Sequence, residues 1–138
     1  MASRIVFPET AFSVGKVKKP RQKVENHLRF IRSLPCCVCG THARVEAAHL
    51  RMASAIHGKA EAGAGAKPDD CWTTPLCAGH HRELPDAQHV IGEPAFWAKH
   101  NIDPFLLALS LWRVSGREDE AESIIAETRA RAGLPLTR

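Results

Sequence analysis

The sequence predicts an α+β fold, one domain of helices around a very small sheet, and three observations carry that expectation. Helical periodicity appears at both ends of the chain, and two short β-favouring runs lie between them. Each of those runs adjoins a knuckle of metal-binding residues, Cys36-x2-Cys39 before the first and Cys77-x2-His80 after the second. At 138 residues the chain suits a single core and is too short for two ordinary domains.

Residues 1–20 hold Pro8, Gly15 and Pro20 without sustained periodicity and read as a basic arm leading into a domain over 21–138. Val24, Leu28 and Ile31 then recur at i, i+4 and i+7 with Phe30 and Leu34 beside them, an amphipathic helix that must stop before Pro35. Its other face carries Arg21, Lys23, Arg29 and Arg32. Gly40 marks a tight turn after the first knuckle, and Val45 to Leu50 reads as a short strand. Residues 51–70 are small, Gly-rich and polar, which predicts a long mobile loop. Trp72, Thr73 and Thr74 favour a second strand ahead of Pro75, and the run AGHHREL starts a helix directly after Cys77.

The C-terminal third reads as helical. Asp103 is placed to cap a helix with Pro104 at its first position, and Leu106, Leu107, Leu109, Leu111 and Trp112 give it an apolar surface up to Gly116. Ser115 and Glu118 have capping-box spacing before a last helix with Ala121, Ile124, Ile125 and Thr128, closed by Gly133 and Pro135. Phe96, Trp97, Phe105 and Trp112 are assigned to core packing.

Composition narrows the function classes. Hydrophobic residues make up 44% and charged residues 25%, and no apolar run approaches the roughly 18 residues that span a bilayer. The first residues lack the basic and apolar regions of a secretory signal, so a cytoplasmic, reducing compartment is expected. There, five cysteines and eight histidines point to metal binding before disulfides. The net charge of +4 is uneven, with 8 Lys/Arg against 2 Asp/Glu in residues 1–34 and a small acidic excess afterwards. Lys16, Lys18, Lys19, Arg21 and Lys23 therefore form a cluster suited to a polyanion such as DNA.

Two knuckles with two-residue gaps offer Cys36, Cys39, Cys77 and His80 as four ligands of one tetrahedral Zn²⁺. Cys37 competes with Cys36, but a Cys37-x-Cys39 gap is too short for the usual knuckle, so Cys37 is read as packing, and so is Cys71. Four protein ligands leave no open position, so such a zinc is structural. Chemistry then falls to other residues. Adjacent helical side chains diverge by about 100°, so His80 can face the zinc while His81 faces a groove where His49, at the end of the first strand, meets it. Two converging imidazoles can divide hydrolysis, one holding a divalent ion and the other, neutral near pH 7, taking a proton from water.

The runs LPCCVCG, AAHL, KPDDCWTTPLCAGHHREL and GEPAFWAKHNIDP, in that order over residues 27–112, closely resemble the HNH endonucleases of the ββα-metal (His-Me finger) type. Within them they resemble the phage recombination-enhancement (Ref-like) nuclease group. The resemblance implies a ββα-metal finger with structural zinc knuckles, flanked by an N-terminal basic helix and C-terminal helices. It implies a DNA endonuclease in which His49 is the general base and His81 a ligand of a catalytic Mg²⁺ or Mn²⁺, cutting to leave a 5′-phosphate and a 3′-hydroxyl. Arg51 and Arg82, flanking these residues, are candidate phosphate contacts. A recombinase filament, or another phage or host DNA-processing protein, is the implied partner.

The chain departs from the family pattern at three places. Ala48 stands where many relatives carry a metal ligand just before the base. Pro85 interrupts the histidine spacing, and treating residues 85–88 as an insertion brings His89 into the missing ligand's place. The asparagine-like middle position falls nearest Asp70 or Thr73. These departures keep an alternative in view, a non-catalytic, zinc-dependent nucleic-acid-binding protein with a degenerate HNH site.

Overall fold

The structure, a computed structural model, describes residues 23–62 and 67–135. The expected arm, with Lys16, Lys18 and Lys19, and also Arg21, lies outside the described residues. The architecture is α+β: helix α1 (Glu25–Ser33), strands β1 (Val45–His49) and β2 (Thr73–Cys77), a π-helical turn (Gly79–Glu83), then α2 (Gln88–Ile91), α3 (Glu93–His100), α4 (Pro104–Arg113) and α5 (Glu118–Ala132).

Helix α1 turns His27, Leu28, Phe30 and Ile31 inward and leaves Arg29 and Arg32 exposed, and Lys23, expected on the same face, lies exposed ahead of the helix. It stops at Leu34, whose ψ of 159° is the extended geometry that Pro35 imposes on its predecessor. The two strands pair antiparallel, from Val45 opposite Cys77 to His49 opposite Thr73. β2 runs through Pro75, where the sequence suggested a stop. A two-stranded sheet has only edges, so a residue without an N–H costs little there. Its carbonyl still accepts from the Cys37 amide at 2.9 Å, tying the first knuckle to β2.

One apolar cluster unites the elements, with Ile31 and Leu34 from α1, Val45 and Ala48 from β1, Leu76 from β2, Phe96 and Trp97 from α3, Leu107 and Leu111 from α4, and Ile125 from α5. Helix α3, which the sequence reading did not separate, supplies the two large aromatics of this core. Phe105 and Trp112, expected there too, are only half-buried; Phe105 packs on Trp72 and Trp112 meets the His27 ring edge-on. Cys71 is likewise half-buried and outside that cluster.

The helix caps divide. Asp103 caps α4 as expected, its Oδ1 accepting from the Phe105 and Leu106 amides. The capping box at α5 does not form: Arg117 is the N-cap residue and makes no side-chain cap. Ser115 points away, its hydroxyl 2.8 Å from Nδ1 of buried His27. The segment between the strands also holds more structure than a mobile loop. Ser54 and Lys59 form an antiparallel bridge, buried Lys59 donates Nζ–H to the carbonyls of Met52 and Ala60, and His57 stacks on Phe105. Among the described residues, no helix is long and apolar enough to cross a membrane.

Candidate metal centre and histidine site

The first knuckle sits on the turn between α1 and β1. The Cys36 amide donates to Thr41 and the Gly40 amide to the Cys36 carbonyl, and Gly40 takes φ 75°, a conformation that favours glycine. The second knuckle leaves the end of β2, where the Ala78 amide donates to the Arg44 carbonyl. The His80 amide approaches Cys77 Sγ at 3.5 Å, holding the sulfur inside the turn. The two knuckles meet. One donor atom from each of Cys36, Cys39, Cys77 and His80 lies within 4.8 Å of all the others.

The spacing fits a tetrahedral ion. Two sulfurs bound to one zinc at about 2.3 Å stand about 3.8 Å apart at the tetrahedral angle. Cys39 Sγ and Cys77 Sγ are 3.8 Å apart, and Cys77 Sγ lies 3.2 Å from His80 Nδ1. The electrostatics agree with the geometry. Burial raises the Cys36 thiol, but hydrogen bonds from His80 and the Cys39 backbone outweigh it and bring it down to about 6. Burial pushes the Cys39 thiol up, and the nearby Cys36 charge pushes it further. Cys77 is raised for the same two reasons. A cation among them would relieve this crowding and favour the thiolate form of all three cysteines. Cys37 is fully buried with its thiol raised, chiefly by burial, which suits packing.

The turn after Cys77 is π-helical, closed by the Leu84 amide on the Gly79 carbonyl, where an ordinary α-helix was expected. It sends His80 and His81 to different partners. His81 donates Nδ1–H to Glu46 of β1 at 2.8 Å, and its ring lies 4.4 Å, centroid to centroid, from His89 on α2. The chain from Leu84 to Ala87 reverses across a turn at Pro85 and Asp86, and this brings His89 back to His81. Arg82 also binds Glu46, through Nε and Nη2, and with His81 it holds the Glu46 carboxyl down at about 2. Arg51 and Arg82 are both exposed, and Arg82 is engaged with Glu46. Burial, reinforced by His81, holds the His89 imidazole below its ordinary value, so its lone pair is available near neutral pH.

His49, at the end of β1, does not find its partner in His81 as the sequence reading expected. Its Nε2 is hydrogen-bonded to Asp70 Oδ1 at 2.9 Å. Of the two residues considered for the middle position, Asp70 makes this contact and Thr73 supports it, donating its hydroxyl to the Asp70 carbonyl at 2.9 Å. Just beyond His49, the amides of Arg51 and Met52 donate to the Glu93 carboxylate at the start of α3. Glu93 follows His89 by four residues, so the end of β1 is fastened to the segment that carries the histidine pair. Sequence reasoning missed Glu46 and Glu93, whose partners lie 35 and 42 positions away. Ala48 is wholly buried in the core and offers no ligand.

The uncharacterized protein YdfU of Escherichia coli (strain K12) is 35% identical over 85 residues, 61% of this chain. Those residues span only 22% of that relative's length. No solved structure matches. The family described as a protein of unknown function (DUF968) matches residues 7–103, a segment that contains both knuckles and all three histidines of the site, and the chain belongs to that family.

Proposed function

We propose that the protein is a metal-dependent DNA endonuclease of the HNH, ββα-metal type, hydrolysing phosphodiester bonds. The observation that carries this reading is the meeting of His81 and His89 across the turn at Pro85, beside the strand that ends in His49. Two antiparallel strands followed by a helical turn that carries His81 support the reading of a ββα-metal finger, and the separate Cys/His cluster supports its zinc scaffold.

The residues divide the work. Zn²⁺ held by Cys36, Cys39, Cys77 and His80 locks the two knuckles together as scaffold, since four protein donors leave it no open position. His81 donates Nδ1–H to Glu46, which leaves the Nε2 lone pair to face an ion and fixes the ring. His89 adds a second imidazole, and two nitrogen donors favour Mn²⁺ over Mg²⁺, which prefers oxygen. A bound ion supplies positive charge beside the leaving oxygen. His49 takes a proton from water, the water oxygen bonds to phosphorus, and the bond to the 3′-oxygen breaks. That oxygen acquires a proton from solvent, giving a 3′-hydroxyl and a 5′-phosphate. Lys23 and Arg51, both exposed, contribute sequence-independent phosphate affinity together with the basic residues before them.

The test is incubation of the zinc-loaded full chain with supercoiled plasmid and with single-stranded DNA, adding Mn²⁺, Mg²⁺ or EDTA. Cutting that requires added ion and disappears in His49→Ala supports the assignment, and equal cutting by the variant overturns it. Burial of Ala48 favours a second reading, a zinc-dependent nucleic-acid-binding protein without catalysis. That reading predicts no cutting with any ion and DNA affinity that falls steeply with salt.

A further inference from the structure

We infer that Asp70 is a positioning residue for His49, fixing which ring nitrogen takes the proton. The inference rests on the nuclease reading for its catalytic consequence and on geometry alone for the tautomer.

Asp70 lies in the segment leading into β2 with only 2% of its surface exposed. A carboxylate so buried needs its oxygens satisfied, and both are. Oδ1 is 2.9 Å from His49 Nε2, and Oδ2 accepts the Val24 amide at 2.7 Å, just ahead of α1. The backbone beneath is held by the Thr73 hydroxyl on the Asp70 carbonyl and by the Trp72 amide on the Asp69 carbonyl. The carboxylate therefore cannot swing away from the ring without leaving a backbone amide unpaired.

An ionised carboxylate only accepts hydrogen bonds, so the nitrogen facing it carries the hydrogen. In a neutral imidazole the other nitrogen then holds the lone pair. Asp70 thus commits His49 to the Nε2–H tautomer and makes Nδ1 the proton acceptor, the logic by which a buried acid orients a histidine base.

Asp70→Asn tests this with almost no change in shape. The Val24 amide is always a donor, so it takes the amide oxygen of the new side chain. The NH₂ group must then face His49, where it demands a lone pair on Nε2 and forces the hydrogen onto Nδ1. The readout is the ring-nitrogen NMR spectrum of zinc-loaded protein, the His49 signals being identified by their loss in His49→Ala. The expected result is Nε2–H in the native protein and Nδ1–H in Asp70→Asn, with zinc content unchanged. DNA cutting should fall at least about 10²-fold in kcat with little change in KM. Nδ1–H in the native protein, or the same tautomer in both proteins, would overturn the inference. Should Asp70→Asn fail to fold, the native spectrum alone decides between the two tautomers. A native protein that shows the tautomer but cuts no DNA leaves the positioning intact and removes the nuclease reading.

Discussion

His81 and His89 face each other with ring centroids 4.4 Å apart, although eight positions and the break at Pro85 separate them. Their approach depends on the reversal through Leu84–Ala87 and on Glu46, which holds His81 from the other side. His89→Ala is expected to weaken Mn²⁺ binding at least about 10-fold while zinc content and thermal stability stay near native. Titration of zinc-loaded protein with Mn²⁺, followed by electron paramagnetic resonance of the free ion, measures it. Native affinity in both His81→Ala and His89→Ala would remove the pair from any ion site.

The cluster of Cys36, Cys39, Cys77 and His80 joins the turn after α1 to the end of β2, two segments some 40 residues apart in sequence. Without metal, its three thiols and one imidazole hold the segments together weakly. The metal-binding energy is therefore folding energy, on the order of 10 kcal/mol for such a site. One equivalent of zinc per chain is expected by elemental analysis. Cys77→Ser, or a strong chelator, should abolish the cooperative thermal transition, while Cys71→Ser should leave metal content unchanged.

His27 is a buried histidine in the core, 1% exposed, with its ring edge-on to Trp112. Burial holds its pKa below the ordinary 6.5, against the opposing pull of Asp70. The native state thus refuses a proton that the unfolded chain accepts, so this residue's contribution to stability falls as pH drops below about 6.5 towards the lowered value. His27→Phe keeps the aromatic contact and removes the titration. Denaturant unfolding should show the variant less sensitive to pH than the native protein between pH 7 and 5. It should lie within about 1 kcal/mol of native at pH 8. Parallel curves would remove His27 as the source.

Asp103 tests the energetics of the second half of the core. Its Oδ1 accepts two amides at the start of α4. Asp103→Ala should cost about 1 kcal/mol, seen as a lower Tm with unchanged zinc content. Ser115→Ala gives the contrast. Because Ser115 serves His27 and not α5, its loss should leave the helicity of α5 unchanged by circular dichroism.

These cases show which links were legible in the sequence. The knuckles, the Asp103 cap, the stop before Pro35 and the two strands are local, written in residues within a few positions of each other. Ser115 and Glu118 carried the local signal of a capping box, but a buried histidine 88 positions away competed for the same hydroxyl and won. Treating residues 85–88 as an insertion assigns His89 a ligand position, and in the structure the turn at Pro85 and Asp86 brings its ring to within 4.4 Å of that of His81. The partner of His49 was not legible. A carboxylate 21 positions away is joined to it only by the path of the intervening chain, which a Gly-rich segment leaves unspecified. The π-helical turn was equally hidden, since its hydrogen-bond register depends on the pull of Cys77 and Glu46 on neighbouring histidines.

Arg129 gives the architecture its outer limit. It is almost wholly buried on α5, and it donates to the carbonyl of Val38, inside the first knuckle, and to that of Pro135 near the end of the described chain. The family match stops at residue 103, yet Leu107, Leu111, Ala121 and Ile125 belong to the same cluster as Ile31 and Leu34. A chain cut at the edge of the match would bare one wall of its own interior and lose the guanidinium that holds the turn of the first knuckle. A piece ending at residue 103 is therefore expected to be less stable than the full chain, because the last two helices close one side of its interior.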